Sequence, residues 1–128
     1  MTADLHNGIR LFNEAKFFDA HEALEDVWRE SPSAEKKFFQ GLVQVAVAFH
    51  HHSTGNLVGM RSVLKRAMGN LEKCPANFHE VDVDQLLDSL AQWRDAMDNN
   101  APSPDLPRMQ ARGLSLNKSP SALNRKGR

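Results

Sequence analysis

Apolar residues recur along residues 1–100 at intervals of three and four, the spacing that lines one face of an α-helix. Leu5, Ile9 and Phe12 open the series and predict a first helix over Asp4–Ala15, closed by a short turn at Lys16. A second helix is predicted over Phe17–Glu30. It stops at Ser31-Pro32, because proline disfavours helix in the residue before it. The third, Ala34–Ser53, takes Ser31 or Ser33 as N-cap and is apolar nearly all round from Phe38 to Phe49, the mark of a buried central helix. Thr54-Gly55-Asn56 ends it with the glycine a helix C-terminus prefers. The fourth, Leu57–Lys73, carries one stripe of Leu57, Met60, Val63, Leu64, Ala67, Met68 and Leu71, and Cys74-Pro75 terminates it. The fifth starts at Asp82, with Gln85 three residues on as a capping box and Val81/Leu86 as a hydrophobic staple. Its stripe is Val83, Leu86, Leu87, Leu90, Trp93 and Met97, and Asn99-Asn100-Ala101-Pro102 stops it.

Tyrosine is absent and β-branched residues are sparse, so no strands are expected. The fold class that follows is all-α, a compact bundle of about five helices over residues 1–100. A repeat at a spacing of forty residues refines it. Lys16–Ala20 lies over Asn56–Met60, and Ala23-Leu24 over Val63-Leu64, each segment opening the second helix of a hairpin. The pairing resembles the helix-turn-helix unit of tetratricopeptide repeats, and implies two such hairpins plus a C-terminal helix. Residues 101–128 hold Pro102, Pro104, Pro107 and Pro120 among serine, asparagine and basic residues, and read as a flexible basic arm.

Composition alters this picture in three ways. The 128 residues, 41% hydrophobic and 25% charged, suit one globular domain with one core. No run of apolar residues is long enough to span a bilayer, and residues 1–10 lack the basic-then-apolar order of a secretory signal, so the cytoplasm is the expected location. Cys74 is the single cysteine, which excludes an internal disulfide and a thiolate zinc site. The net charge of zero hides a split. Residues 1–100 carry 10 Lys+Arg against 15 Asp+Glu, whereas residues 101–128 carry 6 against Asp105 alone. An acidic body is a poor match for nucleic acid, so phosphate contact is expected only through Arg108, Arg112, Lys118, Arg125, Lys126 and Arg128 of the arm.

One constellation carries candidate chemistry. On a wheel of about 100° per residue, Phe17, Ala20, Leu24, Val27 and Trp28 form the inner face of the second helix. His21 falls inside that face, Glu25 falls at its edge, and Glu22 points to solvent. His21 and Glu25, at i and i+4, can hydrogen-bond or share a ligand. Gln40, Gln44 and His51 form a polar stripe on the third helix, and would meet His21 and Glu25 in a seam bordered by Trp28. Such a seam has three readings: a structural network that sets helix register, a site for a small ligand or protein partner, or a metal-dependent hydrolytic centre. The third would take His21, Glu25 and one histidine from 50–52, with His51 best placed. His50-His51-His52 is not itself a chelate, because neighbouring helical side chains diverge by about 100°. His21-Glu22 with Glu25 is not H-E-x-x-H. No glycine-rich phosphate loop or nucleophile elbow is present, and Cys74, at a helix end before a proline, has no adjacent histidine to make it a thiolate. No cofactor is strongly implied.

These residues also form a recognisable pattern. Phe12-Asn13, Phe17-Phe18-Asp19-Ala20-His21-Glu22, Leu24-Glu25 and Trp28-Arg29 are followed by Phe38-Phe39-Gln40-Gly41-Leu42, Gln44, Ala46, His50 or His51, Gly55-Asn56 and Gly59. The set resembles the domain-of-unknown-function 309 family over about residues 5–75. The resemblance implies a compact all-helical bundle without a settled activity, and carries the family's motif onto His21, Glu22, Glu25, Trp28, Gln40, Gly41 and Gln44. Met60 stands where the family usually has alanine, so packing there is expected to differ. The fifth helix and the arm inherit nothing from it. The leading expectation is a binding or interaction protein with His21, Glu22, Glu25, Trp28, Gln40, Gln44 and His51 at its site. Its partner would be a protein or a small molecule, with no membrane involved. The alternative is the metal-dependent hydrolase.

Overall fold

The computed structural model describes residues 3–110. Five α-helices are present among the described residues: α1 (Ala3–Asn13), α2 (Phe17–Glu30), α3 (Lys36–Ser53), α4 (Leu57–Leu71) and α5 (Val83–Asp98). The molecule is all-α in class, with α1/α2 and α3/α4 as two antiparallel hairpins and α5 packed beside them. One element departs from the expectation of no strands. Asn77–Phe78 (β1) pairs antiparallel with Val81–Asp82 (β2) in a minimal hairpin between α4 and α5.

The two helical hairpins turn by the same device. The N–H of Lys16 reaches back to the carbonyl of Leu11, and that of Ala15 to Phe12. Forty residues on, Asn56 reaches His51 and Gly55 reaches His52. Both are paired bonds in which one left-handed residue satisfies the last helical carbonyls. That residue is Gly55 at φ 82° in one turn and Ala15 at φ 64° in the other. A β-carbon is disfavoured in this region. Ala15→Gly is therefore expected to stabilise the fold by about 0.5–1 kcal/mol, read as a higher urea midpoint. An unchanged or lower midpoint would count against strain at this turn.

Helix ends differ from the sequence reading where longer-range bonds compete. Neither Ser31 nor Ser33 caps α3. Ser31 Oγ donates to the Trp28 carbonyl at 2.8 Å instead, closing α2, and a 3₁₀ turn over Ser33–Glu35 leads into α3. At α5, Asp82 Oδ1 accepts from the Gln85 N–H at 3.0 Å, which is half of a capping box. The reciprocal half is missing because the Asp82 N–H donates to the Gln110 carbonyl, and the Gln85 amide turns to Ser89.

The core centres on Phe49 of α3, fully buried. Trp93 and Phe12 meet its ring edge-on, with centroids at 5.0 and 6.3 Å, and Phe17 lies tilted at 5.9 Å. Residues of α1, α2, α3 and α5 thus share one aromatic cluster. Helices α1 and α2 close on each other at Gly8, and α3 and α4 close at Gly41, where an added Cβ would fall 2.7 Å and 2.8 Å from Leu24 and Leu71 respectively. Met60 is wholly buried.

The first residues of the arm are packed. Trp93 Nε1 donates to the Asp105 carbonyl at 2.9 Å, and Asn13 bonds Met109 in both directions, its amide to the carbonyl at 3.1 Å and its oxygen from the N–H at 2.9 Å. Met109 is 1% exposed. Residues 101–110 are therefore a strap across α1 and α5, although the sequence reads the whole arm as flexible. Prolines remove donors that a strap without regular structure would otherwise have to satisfy. Residues 111–128 lie outside the described residues.

Candidate functional site

The proposed seam divides in two. On α2, the side chains of His21 and Glu25 are 24% and 34% exposed, with His21 Nε2 and Glu25 Oε1 4.0 Å apart. Glu25 is held more closely by Arg29, at 3.0 Å. Glu22 is exposed. Trp28 is partly buried, with the Lys36 ammonium 5.2 Å from its ring centre and donating to its carbonyl at 2.6 Å. That single cation closes the C-terminal end of α2 and covers the indole face. The pair is thus half-solvated at the surface of the bundle, and not part of a buried network.

The α3 partners face elsewhere. Gln44 Oε1 accepts from Asn70 of α4 at 2.8 Å. His51 Nδ1 lies 3.4 Å from the Asn56 amide, and Asn56 Oδ1 in turn caps α4 at the Gly59 N–H, 2.9 Å. Gln40 is partly buried on the same side of α3. The histidine that does approach α2 is His50. Its ring centre lies 5.5 Å from that of Phe18, which lies 5.7 Å from that of His21. The step from His51 to His50 is the 100° rotation between adjacent helical residues. It moves the imidazole from the α4 flank to the α2 flank, and a helical wheel gives that angle without saying which neighbour each flank meets.

For chemistry, His21, Glu25 and His51 are not brought together as a metal triad, and the described residues contain no group of three or more His, Cys, Asp or Glu placed to hold an ion. Burial pushes the Cys74 thiol above its ordinary pKa, the opposite of nucleophile activation. Of the basic arm, Arg108 lies at the surface near the Asn13 carbonyl, whereas Arg112, Lys118, Arg125, Lys126 and Arg128 lie outside the described residues. No described helix is long and apolar enough to cross a membrane.

Two features were not legible beforehand. Phe18 is 51% exposed although it belongs to the aromatic motif, and Leu57 and Val58 are 56% and 84% exposed at the start of α4. Since α2 and α3 run antiparallel, the start of α2, the end of α3 and the start of α4 share one end of the bundle. Phe18 and Val58 occupy equivalent places in the forty-residue repeat, a signal available in the sequence had the exposed phase of each helix been known. The second feature is the β1–β2 turn. His79 and Glu80 both have positive φ, 50° and 64°, and His79 Nε2 meets Glu35 Oε1 at 2.7 Å. A two-residue turn of this kind usually announces itself by Asn-Gly, and here it does not.

The family described as "Domain of unknown function (DUF309)" matches residues 5–63. An uncharacterized protein of Aquifex aeolicus (strain VF5) is 34% identical over 76 residues, 59% of this chain and 23% of that protein. The uncharacterized protein YpuF of Bacillus subtilis (strain 168) is 33% identical over 57 residues, 44% of this chain and 33% of that protein. The chain therefore spans a third or less of the length of these relatives. The match runs from the start of α1 into α4, through both repeated turns and the Phe18, His21 and His50 cluster. Over residues 5–63 this chain is thus similar to the domain-of-unknown-function 309 family.

Proposed function

We propose that this chain is a binding module that recognises a protein partner through the end of the bundle formed by Phe18, His21, His50, Leu57 and Val58, with Glu25 and Arg29 as a polar rim. The observation that carries the reading is the exposure of large apolar side chains at the starts of both α2 and α4. Of the four large hydrophobic residues exposed among those described, Phe18, Leu57 and Val58 lie at this one end. Exposed apolar residues scattered singly need no explanation, whereas several gathered at one end of a bundle support an interaction surface there. An aromatic ring with imidazoles beside it supplies large contact area at low cost in conformational entropy, as interface anchors do. In both relatives the matched stretch is a minor part of a longer chain. That suits a unit serving as an attachment module. Action in the cytoplasm belongs to the same proposal, since the lone Cys74 has no disulfide partner.

The test is photo-crosslinking in cells with benzoylphenylalanine at position 18, which keeps the aromatic ring, and at Asp88, on the exposed face of α5, as control. A discrete adduct from position 18 that vanishes when Val58→Asp is added supports the reading. Adducts equal at both positions, or none at 18, would overturn it. Phe18→Asp is expected to change folding stability by less than about 1 kcal/mol, because the side chain is half in water already.

A further inference from the structure

A cleft of about 310 Å³ opens on the opposite end of the bundle, where the start of α1, the end of α2 and the β1–β2 turn converge. Its floor is apolar, with Leu5 and Phe39, and its polar groups are Asp4, Glu30, Glu35 and His79. Three carboxylates and no lysine or arginine line it among the described residues. His79 is fixed in place. It occupies a left-handed turn position, bonds Glu35 at 2.7 Å and stacks on Phe38 with ring centres 5.7 Å apart. An acid-rimmed cleft with a greasy, rigid floor suits a cationic group on an apolar stem.

The chain itself brings such groups to this place. The strap of residues 101–110 crosses α1 and ends with the Gln110 carbonyl accepting the Asp82 N–H at 2.9 Å. Asp82 closes the same hairpin whose turn residue, His79, walls the cleft. Three residues of chain separate them, about 10 Å at full extension. Residues 111–128 then carry Arg112, Lys118, Arg125, Lys126 and Arg128, no acid, and Leu114, Leu116 and Leu123. Eighteen residues can span on the order of 60 Å, so reach imposes no limit. A larger cleft, about 500 Å³ between α4 and α5, is lined by Arg61, Lys65 and Arg94 as well as Glu72 and Asp98, and offers a basic segment no such complementarity.

We infer that residues 111–128 dock intramolecularly on the cleft formed by Asp4, Leu5, Glu30, Glu35, Phe39 and His79, as a continuation of the strap. The acidic body and basic arm of the sequence are then two halves of one contact. The cleft is closed to other cationic segments while the arm occupies it.

The experiment uses the full chain with Cys74→Ala and Ser121→Cys, a nitroxide label on the new thiol, and amide NMR spectra at about 10 mM and about 1 M salt, where screening is weak and strong respectively. The expected result is loss of intensity at Leu5, Val27 and His79 at low salt and its recovery at high salt. The same recovery is expected at low salt in Arg125→Glu/Lys126→Glu, and in Asp4→Asn/Glu30→Gln, whose sites are exposed and whose fold should persist. Intensity loss centred on the α4–α5 cleft, or on no surface at low salt, would overturn the inference. So would loss that arises only between a spin-labelled chain and a separate isotope-labelled one, since the arm of a second copy would then be the occupant.

Discussion

Truncating Phe49 to alanine is expected to destabilise the fold by about 3–5 kcal/mol, the range for a fully buried phenylalanine whose site cannot collapse. The side chain is 0% exposed and touches the rings of Phe12, Phe17 and Trp93. Its removal strips an edge-to-face partner from Phe12 and Trp93 and a tilted one from Phe17, on three other helices. None of them can swing inward to fill the space. Phe12 is held by the turn at Ala15, Phe17 by the first turn of α2, and Trp93 by its bond to the Asp105 carbonyl. Domains of this size have stabilities of about 5–15 kcal/mol, so the variant should be marginal. Its melting temperature is expected to fall by on the order of 20 °C. Urea unfolding followed by circular dichroism would check this, with an unchanged slope showing that the denatured state is the same. A loss under about 1 kcal/mol would mean that the ring is not at the centre of the packing.

The second large effect is expected at Gly41, where Gly41→Val should cost about 2–3 kcal/mol. Valine is a better helix former than glycine, which alone would favour the substitution by a few tenths of a kcal/mol. The tertiary term is larger and of opposite sign. A Cβ there would sit 2.8 Å from both Cγ and Cδ2 of Leu71, a side chain with no exposure and therefore no room to retreat. The α3–α4 pair would have to separate, and the Gln44–Asn70 hydrogen bond beside it would be pulled apart. Gly69 on α4 supplies the contrast, since nothing lies within 4 Å of its added Cβ. Gly69→Ala should therefore stabilise by about 0.5–1 kcal/mol, through helix propensity alone. Chemical unfolding of the two variants in parallel would test both signs. A Gly41→Val protein as stable as the parent would show that the helices can repack at this crossing.

Other consequences of the structure are smaller. The ion pairs around α1 and α2 are solvent-exposed, as with Glu14, whose carboxyl Arg10 and then Lys16 hold below the ordinary range. Exposed pairs of this kind contribute little to stability. His21–Glu25, at 4.0 Å and partly solvated, belongs with them more than with a buried catalytic dyad.

Periodicity alone was enough for the five helices, their pairing into hairpins and the buried face of α3, because 3.6-residue spacing is a property of the chain that no tertiary contact needs to supply. The forty-residue repeat aligned the openings of α2 and α4, and in the structure the turn before each closes through one left-handed residue. The resemblance read from Phe12 to Gly59 lies within residues 5–63, where the family's model matches. What the sequence could not resolve was direction within an element. Gln40, Gln44 and His51 do share a stripe, yet the stripe turns to α4, and His50 is the histidine that meets Phe18. The choice depends on which flank of α3 meets α2 and which meets α4, and that is set by the packing of the three helices. The strap over residues 101–110 and the His79 turn were equally hidden. Both are held by side chains distant in sequence, Asn13 and Trp93 for the strap and Glu35 for His79, and neither carries the local glycine or periodic signature that would reveal it. Local propensity fixed the elements, whereas the contacts between them, made only when the chain closes on itself, decided which polar groups face one another.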